Sequence, residues 1–184
     1  MKVVVAPEKY ELQAGEVACF LAGGITNCPE WQTDVIKNFE AYDKQFKGEL
    51  DHLVLFNPRR ENFPIDDPNA SEEQIAWEFK WLQQMDIFSM YFTAGPSDQP
   101  ICLYELGRNL VRMEQKFPAN FQDLVVISCD KGYKRFQDVK IQTSLAFAES
   151  EVKPDIIEEA DPRKHMYHII RALKAVEKMR SASY

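Results

Sequence analysis

The chain has 184 residues, 45% of them hydrophobic and 12% aromatic, which is enough for one domain with a sizeable core. A formal net charge of −7, with no long run of Lys or Arg, argues against a surface built for the phosphate backbone of a nucleic-acid polymer and leaves a small, pocket-bound substrate open. The four cysteines, Cys19, Cys28, Cys102 and Cys129, fit no CxxC zinc pattern and read as reduced structural thiols.

Residues 1–6 carry an apolar run too short for a signal peptide, and no stretch approaches the ~20 apolar residues of a spanning helix, so a soluble cytoplasmic protein is expected. Residues 17–22 form an apolar run that reads as a first strand, ending in a Gly23-Gly24 turn. Pro29 opens a helical pattern in which Trp31, Val35, Ile36, Phe39 and Tyr42 recur. A second strand over 52–56 stops at Asn57-Pro58, and 63–69 is a loop rich in Pro, Asp and Asn. Ser71 is the expected N-cap of the next helix, with Gln74 as its capping-box partner, and that helix runs to about Gln84. A buried third strand over 86–92, a loop over 93–100 and a helix from Ile101 to about Gln115 follow. Residues 124–128 are a fourth strand. Residues 131–140 are ambiguous, and 139–147 fit a strand or a helix. From Pro162 to about Arg180 the pattern is a long amphipathic helix with Tyr167, Ile170, Leu173 and Val176 on one face. Strands alternating with helices predict an α/β protein: a mainly parallel sheet with right-handed crossovers and helices on both faces.

Three polar sets fall at the carboxyl ends of predicted strands, the edge where open α/β sheets bind ligands. They are Gly23-Gly24, then Asn57-Pro58-Arg59-Arg60, then the loop from Thr93 that leads to Glu105 just inside a helix. The Gly-Gly turn lacks the spaced glycines of a dinucleotide fingerprint and the lysine of a P-loop; it is either a tight turn or a point where backbone approaches a ligand. Glu78 lies on the preceding helix among Trp77, Phe79 and Trp81, and its bland reading is a solvated position. Glu105 has a bland reading too, an acid favoured by the helix dipole. Arg59 and Arg60 read first as solvated loop charges, and Trp31, Trp77 and Trp81 as packing aromatics. The histidines, His52, His165 and His168, make no ligand cluster; the last two lie three apart on a predicted surface helix. No metal and no redox cofactor are expected.

The segments Phe20-Leu21-Ala22-Gly23-Gly24-Ile25, Trp31-Gln32, Asn57-Pro58-Arg59-Arg60, Gln74-Ile75-Ala76-Trp77-Glu78, Met85-Asp86-Ile87 and Tyr104-Glu105-Leu106-Gly107 come in the order seen in nucleoside 2-deoxyribosyltransferase-like proteins, and over roughly residues 17–113 the chain resembles that family. The resemblance implies one doubly wound, flavodoxin-like (Rossmann-like) domain over residues 1–184 and cleavage of a nucleoside or nucleotide N-glycosidic bond. It puts the nucleophile at Glu105, in its E-x-G context, and the supporting acid at Glu78. Substrate contacts are expected from Gly23, Gly24, Asn57, Arg59 and Asp86, with Arg59 or Arg60 meeting a phosphate or a base carbonyl. Family members carry an aspartate shortly before the nucleophile; Asp98 is near that place.

The residue types suit the reaction. A sugar leaving its base gains oxocarbenium character that a carboxylate can trap, and the departing base needs a proton from a second acid. Transfer to another base and hydrolysis by water are both open, as is a catalytically silent nucleotide-binding or sensing module on the same fold. No membrane contact is expected. A homo-oligomer is, because Trp77, Phe79, Trp81, Leu82, Leu103, Leu106 and Leu110 exceed what one sheet face needs, and Tyr184 could reach a neighbour's pocket.

Overall fold

The apolar runs expected as strands are strands, and they pair in parallel. The computed structural model describes residues 1–64, 66–148 and 154–182. Strands β1 (Lys2–Val5), β2 (Val17–Gly23), β3 (Leu53–Asn57), β4 (Ile87–Phe92), β5 (Val125–Cys129) and β6 (Ile156–Ile157) form one sheet in the order β1-β3-β2-β4-β5-β6. Every pair is parallel. Helices α1 (Trp31–Gln45), α2 (Ala70–Gln84), α3 (Pro100–Lys116), α4 (Phe121–Leu124), α5 (Phe136–Ala146) and α6 (Pro162–Ser181) connect them. This is a doubly wound, flavodoxin-like α/β arrangement. No helix among the described residues is long and apolar enough to cross a membrane.

Strands buried on both faces read as continuous apolar runs rather than alternations, which is why β2 to β5 were legible. Along β3, β4 and β5 every residue is buried. Phe20, Phe56 and Phe88 share the face covered by α2, where Trp81 stacks on Phe56 at 3.8 Å. Trp77 meets Phe20 at 6.0 Å on the same face. On the other face α1 packs beside α6, and Trp31 stacks on Tyr91 at 4.5 Å and 5°.

The chain leaves β2 for β3 on one side, then crosses back to β4 on the other. The crevice at the carboxyl ends of β2 and β4 is therefore the switch point at which such sheets take ligands.

Two segments left open are settled: within the run at 1–6, Lys2–Val5 is the edge strand β1, and 139–146 is helical within α5. Other expectations are corrected. Ser71 is not a cap: α2 begins at Ala70 after Asn69, and Gln74 turns inward instead of back to the helix start. Along α6 the buried residues are His165, Met166, Ile169, Ile170, Ala172, Leu173 and Val176, so Ile170, Leu173 and Val176 face inward as expected and Tyr167, at 45% exposure, does not. The buried face is wide because α6 packs on α1, on α4 and on the sheet at once. The expected apolar surplus is mostly core: Trp77, Trp81, Leu82, Leu106 and Leu110 are buried, and Phe79 alone of the seven is well exposed.

His165 is not a surface residue. It is fully buried between Ser89 on β4, at 2.7 Å, and Ser128 on β5, at 2.8 Å, one ring nitrogen donating and the other accepting. Those two serines are the polar exceptions in apolar strands, and α6 supplies their partner. Burial holds the imidazole neutral by pushing its pKa down from 6.5 to about 3. The native state thus resists a proton that the unfolded chain accepts, so stability present above pH 6.5 drains as pH falls from there toward about 3. His165→Gln is expected to be less stable at pH 7 by about 1–3 kcal/mol. Urea titrations should show a shallower loss in that variant between pH 6.5 and 4; parallel losses would contradict the assignment.

Candidate active site

At the end of β2 the backbone turns sharply. Gly23 has φ +151°, and a Cβ there would stand 2.4 Å from the Tyr91 carbonyl oxygen and 2.6 Å from the Trp31 ring. The turn is pinned from behind by the Trp31 indole N–H, which donates to the Gly24 carbonyl at 3.0 Å. Arg59 braces the same loop. Its Nε donates to Gln32 Oε1 at 2.8 Å, and its Nη2 donates to the carbonyls of Pro29, at 2.8 Å, and of Gly24 and Ile25, each at 3.3 Å. Asn57 Oδ1 accepts from the Arg59 backbone N–H at 3.0 Å.

In front of this turn lies a cavity of about 210 Å³. It is lined by Phe20 and Ala22 of β2, by Gly23 to Thr26 and Pro58, and by Ser97 and Gln99 to Cys102. Glu78 from α2 and Glu105 from α3 both line it. Burial, then the charge of Glu78, push the Glu105 carboxyl up to about 7, opposed by Arg108. Burial also raises Glu78, opposed by a hydrogen bond from Gln74. Two acids thus share a poorly solvated space in which both do not ionise readily, the condition for one carboxylate and one proton donor at neutral pH. Neighbouring Cys102 is pushed up to about 12, first by burial and then by Glu105, so it is a neutral thiol and a poor nucleophile.

Of the expected site residues, the structure brings together Gly23, Gly24, Glu78 and Glu105. Asn57 and Arg59 do not line the cavity; Asn57 Oδ1 and the Arg59 Nε and Nη2 are engaged in holding the loop that shapes it. Asp86 is at the wrong edge. It precedes β4, so six strand residues at ~3.3 Å each, about 20 Å, separate it from the carboxyl rim. There its carboxylate accepts from the Ala18 backbone N–H at 3.0 Å and from Arg180 at 3.2 Å, and pairs with Lys116 at 3.7 Å. Asp98 pairs with Lys134 at 3.2 Å and lines a separate, larger cavity of about 550 Å³ between α3 and α5, which contains neither glutamate. Arg60 bonds the Ala6 carbonyl and Glu73. Tyr184 lies outside the described residues.

Sequence reasoning missed Gln99. It caps α3 with φ +47°, is 4% exposed, and lines the cavity while its Nε2 donates to the Thr93 carbonyl at 2.9 Å. Nothing in an isolated Asp-Gln-Pro signals this; only the fold of the loop places it. Among the described residues no group of three or more His, Cys, Asp and Glu is arranged to hold a metal ion.

Fold and cavity together define an α/β protein with a carboxylate pair at the ligand-binding edge of a parallel sheet. The profile of a family described as nucleoside 2-deoxyribosyltransferase like matches residues 16–117, more than half of the chain, and the protein belongs to that family. No curated protein matches the chain.

Proposed function

We propose that the protein, as one domain over residues 1–184, cleaves the N-glycosidic bond of a nucleoside through a covalent glycosyl-glutamate. The observation that carries this reading is the convergence of Glu105 and Glu78 in one cavity at the switch point of the sheet. In the proposed reaction a Glu105 carboxylate oxygen bonds to the anomeric carbon as the carbon–nitrogen bond breaks. The electron pair goes to the base nitrogen, and the base leaves with a proton drawn from Glu78. A second base or water then displaces Glu105 and releases the sugar.

The cavity lining favours an uncharged nucleoside over a 5′-nucleotide. Among the described lining residues there is no Lys or Arg and two are glutamates, and the Arg59 guanidinium behind the turn already faces four acceptors. A volume of about 210 Å³ is also small beside the roughly 300–1,000 Å³ of ligand pockets. A self-associated form in which a neighbour completes the site is part of this reading. It is supported by exposed Ile75 and Phe79 on α2 and Ile101, Tyr104 and Val111 on α3.

Incubation with a panel of deoxynucleosides, ribonucleosides and 5′-monophosphates, with and without a second base, tests the proposal. Chromatography should show free base or an exchanged nucleoside, faster from nucleosides than from monophosphates. Tight binding with no base released from any member would instead favour the silent nucleotide-binding module.

A further inference from the structure

We propose that Gln74 is a positioning residue for the carboxylate pair: its side-chain amide, clamped on the Pro58 carbonyl, holds the Glu78 carboxylate in the cavity. The inference rests on the reading of Glu105 and Glu78 as the reacting acids. Gln74 and Glu78 lie four apart on α2 and so share a face. The Gln74 amide nitrogen donates to the Pro58 carbonyl at 2.7 Å and to Glu78 Oε1 at 2.7 Å. Both of its hydrogens are thereby used, and the amide has one sensible orientation. Pro58 follows the end of β3 and lines the same cavity, so the contact ties Glu78 to the rim of the sheet rather than to its own helix alone.

Stability alone does not account for a glutamine here. Gln74 is 9% exposed, and its Oε1 is buried with no hydrogen-bond partner among the described residues. Burying an unpaired carbonyl costs about 1–3 kcal/mol, which an apolar side chain of similar length would avoid. What the apolar side chain cannot do is donate to Glu78. That donation fixes the Glu78 carboxyl at the rim, on the cavity that Glu105 also lines. It also favours the ionised form of Glu78, so the contact contributes placement while opposing the proton that Glu78 must carry for the reaction. The other titratable groups near the pair are Cys102 and Arg108, both from α3. From the loop before α2, Arg60 is engaged by the Ala6 carbonyl and by Glu73.

The test is Gln74→Met, which keeps length and burial and removes the donor, with Gln74→Leu as a second variant of the same sign. Carboxyl-carbon NMR titration should show Glu78 titrating at higher pH and Glu105 at lower pH than in the unmodified chain. In the assay, kcat should fall about tenfold or more with KM changed less than about twofold. The acid limb of the kcat profile should move to lower pH. Unchanged titration of both carboxyls in a folded Gln74→Met protein overturns the positioning role. Unmodified turnover in Glu105→Gln and Glu78→Gln would instead overturn the reading beneath it, and the titration result would still stand or fall by itself.

Discussion

Replacing Glu105 with glutamine is expected to lower turnover by at least ~10³-fold while the protein stays folded, because a neutral amide cannot trap the departing sugar. The fold should tolerate the change: the hydrogen bond Glu105 accepts from Asn109 is on its backbone carbonyl, which the substitution keeps, and the substitution removes a charge that burial disfavours. The folded carboxyl is raised from 4.5 to about 7, so the native state binds the proton more tightly than the unfolded chain. Stability carried by this group is full below about pH 4.5 and is lost as pH rises through about 7. Glu105→Gln removes that loss, and should be more stable than the unmodified chain at pH 8 by roughly 1–3 kcal/mol, with little difference at pH 4.5. For the same reason kcat/KM of the unmodified protein should climb from the acid side with a midpoint near 7. Urea denaturation at the two pH values and single-turnover base release measure both halves. Turnover near that of the unmodified protein would remove Glu105 from the chemistry.

Gly23→Ala is the second change with a large expected effect, here on stability and activity together. A methyl group at Gly23 would stand 2.4 Å from backbone and 2.6 Å from the Trp31 ring, and a residue with φ +151° is strained before any contact is counted. The Trp31 ring has little room to withdraw, being stacked on Tyr91 at 4.5 Å with His165 edge-on at 6.0 Å. Overpacking with backbone strain of this kind costs about 2–4 kcal/mol, and relief by moving the turn would displace Gly24 and the cavity wall. Gly107 provides the contrast. It sits within α3, and a Cβ there meets nothing within 4 Å. Gly107→Ala should stabilise by roughly 0.5–1 kcal/mol through helix propensity. Thermal denaturation of the two variants separates these outcomes; a Gly23→Ala protein as stable as Gly107→Ala would mean that the turn is looser than its contacts suggest.

The elements that reasoning from residues found are those whose signal is local. Four apolar runs became β2 to β5, and apolar periodicity marked α1 and α6. The position of Gly23-Gly24 and of Glu105 relative to strand ends was enough to put them on the carboxyl rim, because in a parallel sheet every strand delivers its carboxyl end to the same edge. Edge strands were harder. β1 and β6, of four and two residues, exist through pairing with β3 and β5 and carry little pattern of their own.

What only tertiary structure decided is where polar side chains spend their hydrogen bonds. Asp86, expected from the resemblance to touch substrate, closes a network at the amino edge, and Arg59, read as a rim residue, holds a loop by its carbonyls. Gln74 looked like a helix-start residue, yet it reaches Pro58, 16 positions earlier. His165 looked like a surface residue, yet its partners Ser89 and Ser128 lie 76 and 37 positions away. Apolar burial repeats along the chain with the period of a helix or the run of a strand, so it is written locally. A buried hydrogen bond needs one particular partner at one distance, and the chain supplies that partner from another element, so it exists only once the sheet has assembled.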